Sequence, residues 1–500
     1  MERYQVVVIG GGSAGMTAAA GAANLGAKTA LIEKKNSLGG DCLHYGCVPS
    51  KSLIDAANRI YTMKNSAEIF GFSLSGKLEF NKVKEHVKSA QSVIQEHDGN
   101  KRFTDLGVDL FFGAAHFQSP NEISIGDKQI IWAEKVIIAT GSSPVVPSSI
   151  EGIEQIRYVT NETIFDLEEL PKELGVIGGG TIGLEMAQAF ARMGTKVTVF
   201  EGSDQLFAKE DHDISTFMYN LLKEEINIEL YSSVTKVENT EGKIKVHIAL
   251  RNGEEKEYTV DQLLVSAGRK PNTSSLKLSQ AGVATVKDFI EIDDSFRSSQ
   301  PHIFAVGDAI NTLPFTHAAG EEAKTVISNV LFGLKNTLNH EFTPWVTFTS
   351  PEVFHVGKTE KQVKEAGTSY RVYRAHLEEV DRFITSHETR GFVKIITDKR
   401  GTILGAHAAG LEAGEWMQIV VFAMKNKKKI GSLSRMIYSY PTKAGALQRA
   451  ADVYWREKLF DGPLPKLTKK FFDIKYAITG KKLDLPPEEP APASISLDRN

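Results

Sequence analysis

Val6-Val7-Val8-Ile9-Gly10-Gly11-Gly12-Ser13-Ala14-Gly15, followed by Thr29-Ala30-Leu31-Ile32-Glu33, is the stretch that decides the fold. Four large apolar residues without alternation read as a buried parallel strand, and the glycine run then opens a small-residue helix to Leu25. Thr29 to Ile32 is the next strand and ends on an acid. In this arrangement Gly10 permits a tight turn, Gly12 lets backbone amides approach a pyrophosphate, and Ala14 and Gly15 let the helix pack on the strand. Glu33 stands where a carboxylate accepts hydrogen bonds from ribose hydroxyls.

The pattern recurs downstream. Gly175 to Ile177 is a strand, Gly178-Gly179-Gly180-Thr181-Ile182-Gly183 is the turn, Leu184 to Met193 is the helix, and Lys196 to Phe200 ends on Glu201. One shift carries Gly10 to Gly178, Gly12 to Gly180, Gly15 to Gly183 and Glu33 to Glu201, so the chain holds two dinucleotide-binding units. Glu201 repels a 2′-phosphate and no arginine follows it immediately, which favours NADH over NADPH.

Between the two units lies Gly39-Gly40-Asp41-Cys42-Leu43-His44-Tyr45-Gly46-Cys47-Val48-Pro49-Ser50-Lys51, which contains the only two cysteines of the 500 residues. A bridge closing so short a loop stabilises a large protein only slightly, so the pair reads as a reactive dithiol. The helical pattern from Cys47 through Ser52, Leu53, Ala56 and Ala57 puts it at a helix N-terminus, where the dipole favours the thiolate. Two nucleotide sites flanking a dithiol imply a nicotinamide nucleotide, a flavin and a disulfide in electronic series.

Length and composition bound the rest. A chain of this size that is 41% hydrophobic predicts two to four domains, and a net charge of -3 leaves no basic face suited to nucleic acid. The uncharged run from Gln5 to Ala27 has membrane-span length but consists mostly of Gly, Ala and Ser, and no cleavable signal is visible. With no structural disulfide, the expectation is a soluble, cytoplasmic protein. No metal-ligating set is assigned from the sequence.

Nearly the whole chain resembles the flavoprotein disulfide reductases, or class I pyridine nucleotide-disulfide oxidoreductases, which include dihydrolipoamide dehydrogenase, glutathione reductase and mercuric reductase. Besides the two fingerprints, the resemblance rests on Gly39 to Lys51, on Ala139-Thr140-Gly141, on Ala267-Gly268-Arg269-Lys270-Pro271-Asn272 and on Ile303-Phe304-Ala305-Val306-Gly307-Asp308. It implies an α/β chain with two Rossmann-like domains, for FAD and NAD, and a C-terminal α+β dimerisation domain. The implied division is 1–150 and 271–338 for FAD, 151–270 for NAD(P), 339–460 for the interface and 461–500 for a tail.

By the same resemblance Asp308 would bind the flavin ribityl chain, Cys47 would lie against the flavin, and Cys42 would meet the substrate. Lys51 would pair with Glu185 beside the flavin, with Gly40, Gly141, Gly268 and Arg269 among the cofactor-binding residues. His317 would have a positioning role at the start of a helix from Ala318 to Leu331 whose N-terminus faces the flavin. The interface domain is expected to hold strands at Phe342 to Phe348, Ser369 to Ala375, Phe392 to Thr397 and Thr402 to Ala409. An amphipathic helix from Ala413 to Lys425 would pack across a two-fold axis, which implies a homodimer.

The sequence departs from its relatives near the C-terminus. Disulfide-reducing members carry a His-Pro followed by a glutamate there, whereas this chain reads Ser439-Tyr440-Pro441-Thr442-Lys443-Ala444-Gly445. Tyr440 replaces the histidine and Gly445 the glutamate. A phenol with pKa near 10 is only about 0.1% ionised at pH 7, and loss of general acid-base help costs about 10²- to 10⁴-fold.

A tyrosine here resembles mercuric reductases, whose acceptor is a thiolate-bound metal ion that suits soft sulfur ligands. Those enzymes also carry a C-terminal cysteine pair, which this chain lacks. The expectation is therefore an NADH- and FAD-dependent enzyme whose dithiol reduces a small molecule or metal ion, with an ordinary dihydrolipoamide dehydrogenase as the alternative. A nucleotide-bound redox sensor or docking protein is the alternative of another class.

Beyond Leu459, Lys466 to Leu483 interleaves lysines with Phe471, Phe472, Ile474, Tyr476 and Ile478, a pattern that suits an anionic membrane surface or the protein's own apolar face. Leu485 to Asn500 is proline-rich and acidic, and is expected to be disordered.

Overall fold

The computed structural model describes residues 1–126 and 129–480. Its first sheet grows from β1 (Glu2–Ile9), β2 (Thr29–Glu33), β3 (Val108–Phe112), β4 (Ala115–Phe117), β5 (Glu122–Ile125) and β6 (Gln129–Ile138), in the order β3-β2-β1-β6-β5-β4. β3, β2, β1 and β6 run parallel, and β6 also takes the strand Ile303–Ala305 in parallel on its other flank. Chain from beyond the second fingerprint thus returns to complete the first sheet. Val6, Val7, Val8, Leu31 and Ile137 are wholly buried there, each side chain contributing about 1.5–3 kcal/mol by leaving water.

The helix α1 (Ser13–Asn24) follows β1, and the helix Thr316–Phe332 packs beside it. The short helix α2 (Gly40–His44) and the long α3 (Cys47–Phe70) come next in the chain. Leu53, Ile54 and Ala57 of α3 share a core with Leu184, Ala187 and Phe190 of the helix Thr181–Met193, which opens the second unit. That shared core fixes the cysteine-bearing end of α3 against the second unit.

The second unit is a four-stranded parallel sheet ordered Asn227–Glu229, Lys196–Phe200, Glu173–Ile177 and Gln262–Val265. An antiparallel meander of Ser232–Thr240, Lys243–Leu250 and Glu255–Val260 accompanies it.

The C-terminal sheet has five antiparallel strands, ordered Trp345–Thr347, Glu352–Gly357, Ile403–Gly410, Phe392–Asp398 and Tyr370–His376. The strand Glu352–Gly357 is absent from the sequence reading, because Pro351 precedes it and the fully buried His355 interrupts its apolar run. The expected helix from Ala413 to Lys425 is two helices, Ala413–Trp416 and Gln418–Lys425, broken at Met417.

Gly445–Phe460 is followed by a further helix, Leu464–Thr479, none of whose residues is buried. Of the two roles expected for this segment, covering the chain's own apolar face is not seen, since Leu467, Phe471, Ile474 and Ile478 all stay exposed. The expected disorder of Leu485 to Asn500 lies outside the described residues. No helix among the described residues is long and apolar enough to cross a membrane.

Candidate active site

The two glycine turns are built alike. Gly10 N–H donates to Ile32 O at 2.8 Å and Gly178 N–H donates to Phe200 O at 2.9 Å. A Cβ on Gly15 would stand 1.8 Å from Gly10 O, and one on Gly183 would stand 2.1 Å from Gly178 O, so neither position tolerates a side chain. Glu33 Oε2 accepts from Gly11 N–H at 2.7 Å, and Glu201 Oε2 accepts from Gly179 N–H at 2.6 Å, in both cases across 22 residues. Ser203 N–H and Oγ–H donate to the other oxygen of Glu201 at 2.8 and 2.6 Å, which holds the carboxylate at the strand end.

The glycine pair before Cys42 docks on the first turn. Gly39 N–H donates to Gly11 O at 2.9 Å, and a Cβ on Gly40 would meet Gly12 Cα at 2.6 Å. This close approach sets the start of α2, and hence Cys42, above the fingerprint.

Both cysteines are half-buried thiols, Cys42 within α2 and Cys47 as the first residue of α3. Cys47 Sγ lies 3.3 Å from Thr316 Oγ1, at the start of the helix Thr316–Phe332. The two thiols titrate apart. Cys47 is lowered to about 6 by the hydrogen bond from Cys42, helped against burial by Thr316 and by the charge of Lys51. Cys42 is pushed up by the same hydrogen bond and by burial. The reduced pair therefore holds its negative charge on Cys47 and its proton on Cys42.

Lys51 Nζ donates to Glu185 Oε2 at 2.9 Å, while Glu185 Oε1 accepts from Phe348 N–H at 2.8 Å. The pair spans α3 and the helix Thr181–Met193. His44, between the cysteines, turns away from them, with Nε2 3.1 Å from Leu38 O.

The two crossovers meet as an antiparallel pair, Ser142–Pro144 against Arg269–Pro271. Arg269 donates to Ser142 Oγ and Ser142 O at 2.7 and 2.9 Å and lies 3.3 Å from Asp41 Oδ1. Asp308 Oδ2 accepts from Ser142 Oγ at 2.5 Å, and burial raises its carboxyl above the ordinary range against the pull of Ser142 and Arg269. His317 stacks on Phe315, and its Nε2 donates to Pro344 O at 2.6 Å.

Residues 4–323 match the family Pyridine nucleotide-disulphide oxidoreductase, and residues 343–451 match the dimerisation domain of that family. The chain is a pyridine nucleotide-disulphide oxidoreductase by family. It is 34% identical over 457 residues to a mercuric reductase of Lysinibacillus sphaericus, covering 90% of this chain and 82% of the relative. It is equally 34% identical over 469 residues to mitochondrial dihydrolipoyl dehydrogenase 1 of Arabidopsis thaliana, covering 90% of each. A solved structure, the Cu(II) complex of the HOCl-induced flavoprotein disulfide reductase RclA from Escherichia coli, superposes with a TM-score of 0.82 at 28% identity, over 91% of this chain and all of that one.

Pyridine nucleotide-disulphide oxidoreductases use FAD and NAD(P)H, and the residues here fit both. α1 and the helix Thr181–Met193 begin on Gly12 and Gly180 without a side-chain cap, which leaves their first amides for pyrophosphate. A Cβ on Gly180 would meet nothing within 4 Å, so a phosphate can approach that backbone. Thr140 Oγ1 in the first crossover is buried without a partner among the described residues, a polar atom suited to a cofactor.

Three members of this oxidoreductase site carry no signal in the sequence: Thr316, which touches Cys47, and Ser142 and Asn161, which with Asp41 of the cysteine stretch surround Arg269. They are common polar types at no diagnostic spacing, and only the fold brings them together. Tyr440 lies apart on the C-terminal domain, exposed, with its hydroxyl donating to Asp381 Oδ2 at 2.6 Å.

Proposed function

We propose that this protein takes electrons from NADH in preference to NADPH and delivers them through the Cys42–Cys47 pair to a thiolate-bound metal ion. FAD, when bound, supplies the two-electron exchange between the nicotinamide and the cysteines. The Cys42–Cys47 disulfide accepts an electron pair and one proton, its S–S bond breaks, and a Cys47 thiolate and a Cys42 thiol result. Cys42 then loses its proton on binding the acceptor ion. The electron pair passes to the ion and the S–S bond re-forms.

Cys47 would face the flavin, steadied by Thr316 and by the Lys51–Glu185 pair. Cys42 faces the acceptor. Gly10, Gly12, Ala14, Gly15, Glu33, Gly40, Gly141, Asp308 and His317 serve FAD, with Gly268 and Arg269 at the second crossover. Gly178, Gly180, Gly183 and Glu201 serve the nicotinamide nucleotide. The dimerisation-domain match supports a homodimer, and the lone dithiol suits a reducing, cytoplasmic setting. The lysine-bearing helix Leu464–Thr479, with its apolar side chains exposed, is the surface for any peripheral membrane contact.

The observation that carries the metal-ion reading is Tyr440. Its hydroxyl is committed to Asp381, which raises the phenol further from neutrality, so it does not take protons from a thiol substrate at pH 7. Gly445 offers no carboxylate behind it. A metal ion needs no such base, and the mercuric reductase relatives point the same way. The second reading, dihydrolipoamide dehydrogenase, is favoured by relatives of equal identity.

Anaerobic NADH consumption with Hg(II) in excess small thiol, run beside oxidised lipoamide, separates the two. Rapid turnover with the metal and little with lipoamide is expected. Turnover with lipoamide alone would make the second reading the function.

A further inference from the structure

Three buried side chains from distant parts of the chain converge outside the redox site. Glu210 sits in the segment after the strand Lys196–Phe200, just before Asp211, which caps the helix His212–Leu222. His355 and His407 are direct cross-strand partners on Glu352–Gly357 and Ile403–Gly410. One ligand atom from each of the three lies within 4.8 Å of the other two, and all three residues are buried.

Their outer hydrogen bonds fix which atoms face inward. His355 Nε2 lies 2.9 Å from Gly357 O and His407 Nε2 lies 3.1 Å from Lys358 O. Carbonyl oxygens only accept, so both Nε2 atoms carry hydrogen. His407 Nδ1 is then a bare lone pair, and it is buried without a partner among the described residues. His355 Nδ1 points at Glu210 Oε2 from 2.8 Å.

Two descriptions satisfy these contacts to different degrees. A doubly protonated His355 paired with Glu210 satisfies that contact but leaves His407 Nδ1 buried and unpaired, a loss of about 1–3 kcal/mol. A cation among Glu210 Oε2, His355 Nδ1 and His407 Nδ1 satisfies all three.

We propose that Glu210, His355 and His407 form a buried site for a divalent transition-metal ion of the zinc class, which fastens the second nucleotide-binding unit to the C-terminal sheet. Two imidazoles and a carboxylate are a donor set that zinc accepts, with a position left for water. Bonds of about 2.0–2.1 Å to a tetrahedral ion place donor atoms about 3.3 Å apart, inside the present spread.

The outer shell is of the kind that orients metal ligands: both imidazoles donate their second N–H to backbone carbonyls, and Trp345 Nε1–H donates to Glu210 Oε1 at 2.5 Å while stacking on His355. The surrounding charge is suitable as well. Buried Lys394, which pairs in register with His407, is bound by Asp211, Asp213 and Glu360, and Arg374 and Lys364 pair with Asp213 and Glu360, so these three carboxylates are matched by three cations and the charge of Glu210 is left to the site. A cavity of about 350 Å³ lined by His340, Trp345, Gly357 and Lys358 adjoins the carbonyl partners.

This assignment is independent of the electron acceptor. Its test uses the full-length, FAD-loaded protein with Cys42→Ser and Cys47→Ser, which removes the thiolates as competing ligands. After equilibration with Zn(II) and removal of free metal, about one zinc per chain is expected, with an X-ray absorption shell of nitrogen and oxygen that includes two imidazoles. Adding His407→Leu is expected to weaken zinc binding by at least about tenfold, since loss of even an outer-shell partner costs about that much. Flavin content serves as the check that this variant folds.

No retained zinc in the double-serine protein, or equal retention after His407→Leu, would overturn the site. Should His407→Leu fail to fold, the absorption shell of the double-serine protein decides alone: a shell without two imidazoles overturns it.

Discussion

Cys47 Sγ and Thr316 Oγ1 are 3.3 Å apart, so the first turn of α3 and the first turn of the helix Thr316–Phe332 meet at one sulfur. Two helix N-termini there add their dipoles to the charge of Lys51 and the hydrogen bond from Cys42. The sulfur that holds the negative charge in the reduced pair is fixed by this geometry.

The thiolate assignment predicts a pH profile. In Cys42→Ser, where the serine hydroxyl still donates to Cys47, the alkylation rate with iodoacetamide should rise through a midpoint near 6 and level off above it. Thr316→Val removes a group that lowers this pKa, so its midpoint moves upward, and Lys51→Met moves it the same way. Unchanged midpoints in both would mean that neither residue sets the thiolate.

Glu201 is expected to select the nucleotide. Glu201→Gln keeps an oxygen for Gly179 N–H but removes the charge that repels a 2′-phosphate. The ratio of kcat/KM for NADH over NADPH should fall by about tenfold, equivalent to about 1.4 kcal/mol. A ratio unchanged by the substitution would place selectivity elsewhere.

Glu352 gives the C-terminal domain a pH-dependent stability. Burial, with Glu415 and Glu412 nearby, pushes its carboxyl up to about 7 despite the Gly414 amide and Lys443. The unfolded chain loses this proton at lower pH than the folded one, so stability falls as pH rises from about 4.5 through 7 and levels off above. Glu352→Gln escapes this and should gain about 2 kcal/mol over the wild type between pH 5 and pH 8, measured by urea unfolding at the two pH values. An equal response of both proteins to pH would remove Glu352 as the source.

The parts legible in the sequence are those that local chemistry dictates. Gly15 and Gly183 are required by a backbone oxygen a few residues away, and Glu33 and Glu201 close their own turns, so a short window contains the whole reason for each. Lys51 and Glu185 lie 134 residues apart, and only the family resemblance paired them. Thr316 went unnoticed beside His317, because a threonine acquires its meaning from the sulfur that the fold brings to it.

The strand Glu352–Gly357 was hidden by its own buried histidine, and that residue belongs to a cluster in which sheet register brings His355 to His407 while Glu210 arrives from the segment before the helix His212–Leu222. Hydrophobic periodicity cannot show such a cluster, since a polar side chain in a strand core looks like an interruption.

The central claim is that the cysteine pair stores electrons taken from NADH and hands them on from Cys42. The most direct measurement is an anaerobic reductive titration of the FAD-loaded wild type beside Cys42→Ser. The account predicts that the wild type takes up about twice the reducing equivalents per bound flavin, because its disulfide is a second reducible centre, and that only the wild type then reduces added Hg(II) thiolate rapidly. Equal uptake by both proteins, or equal reduction of the metal, would show that the electrons bypass Cys42 and would contradict the account.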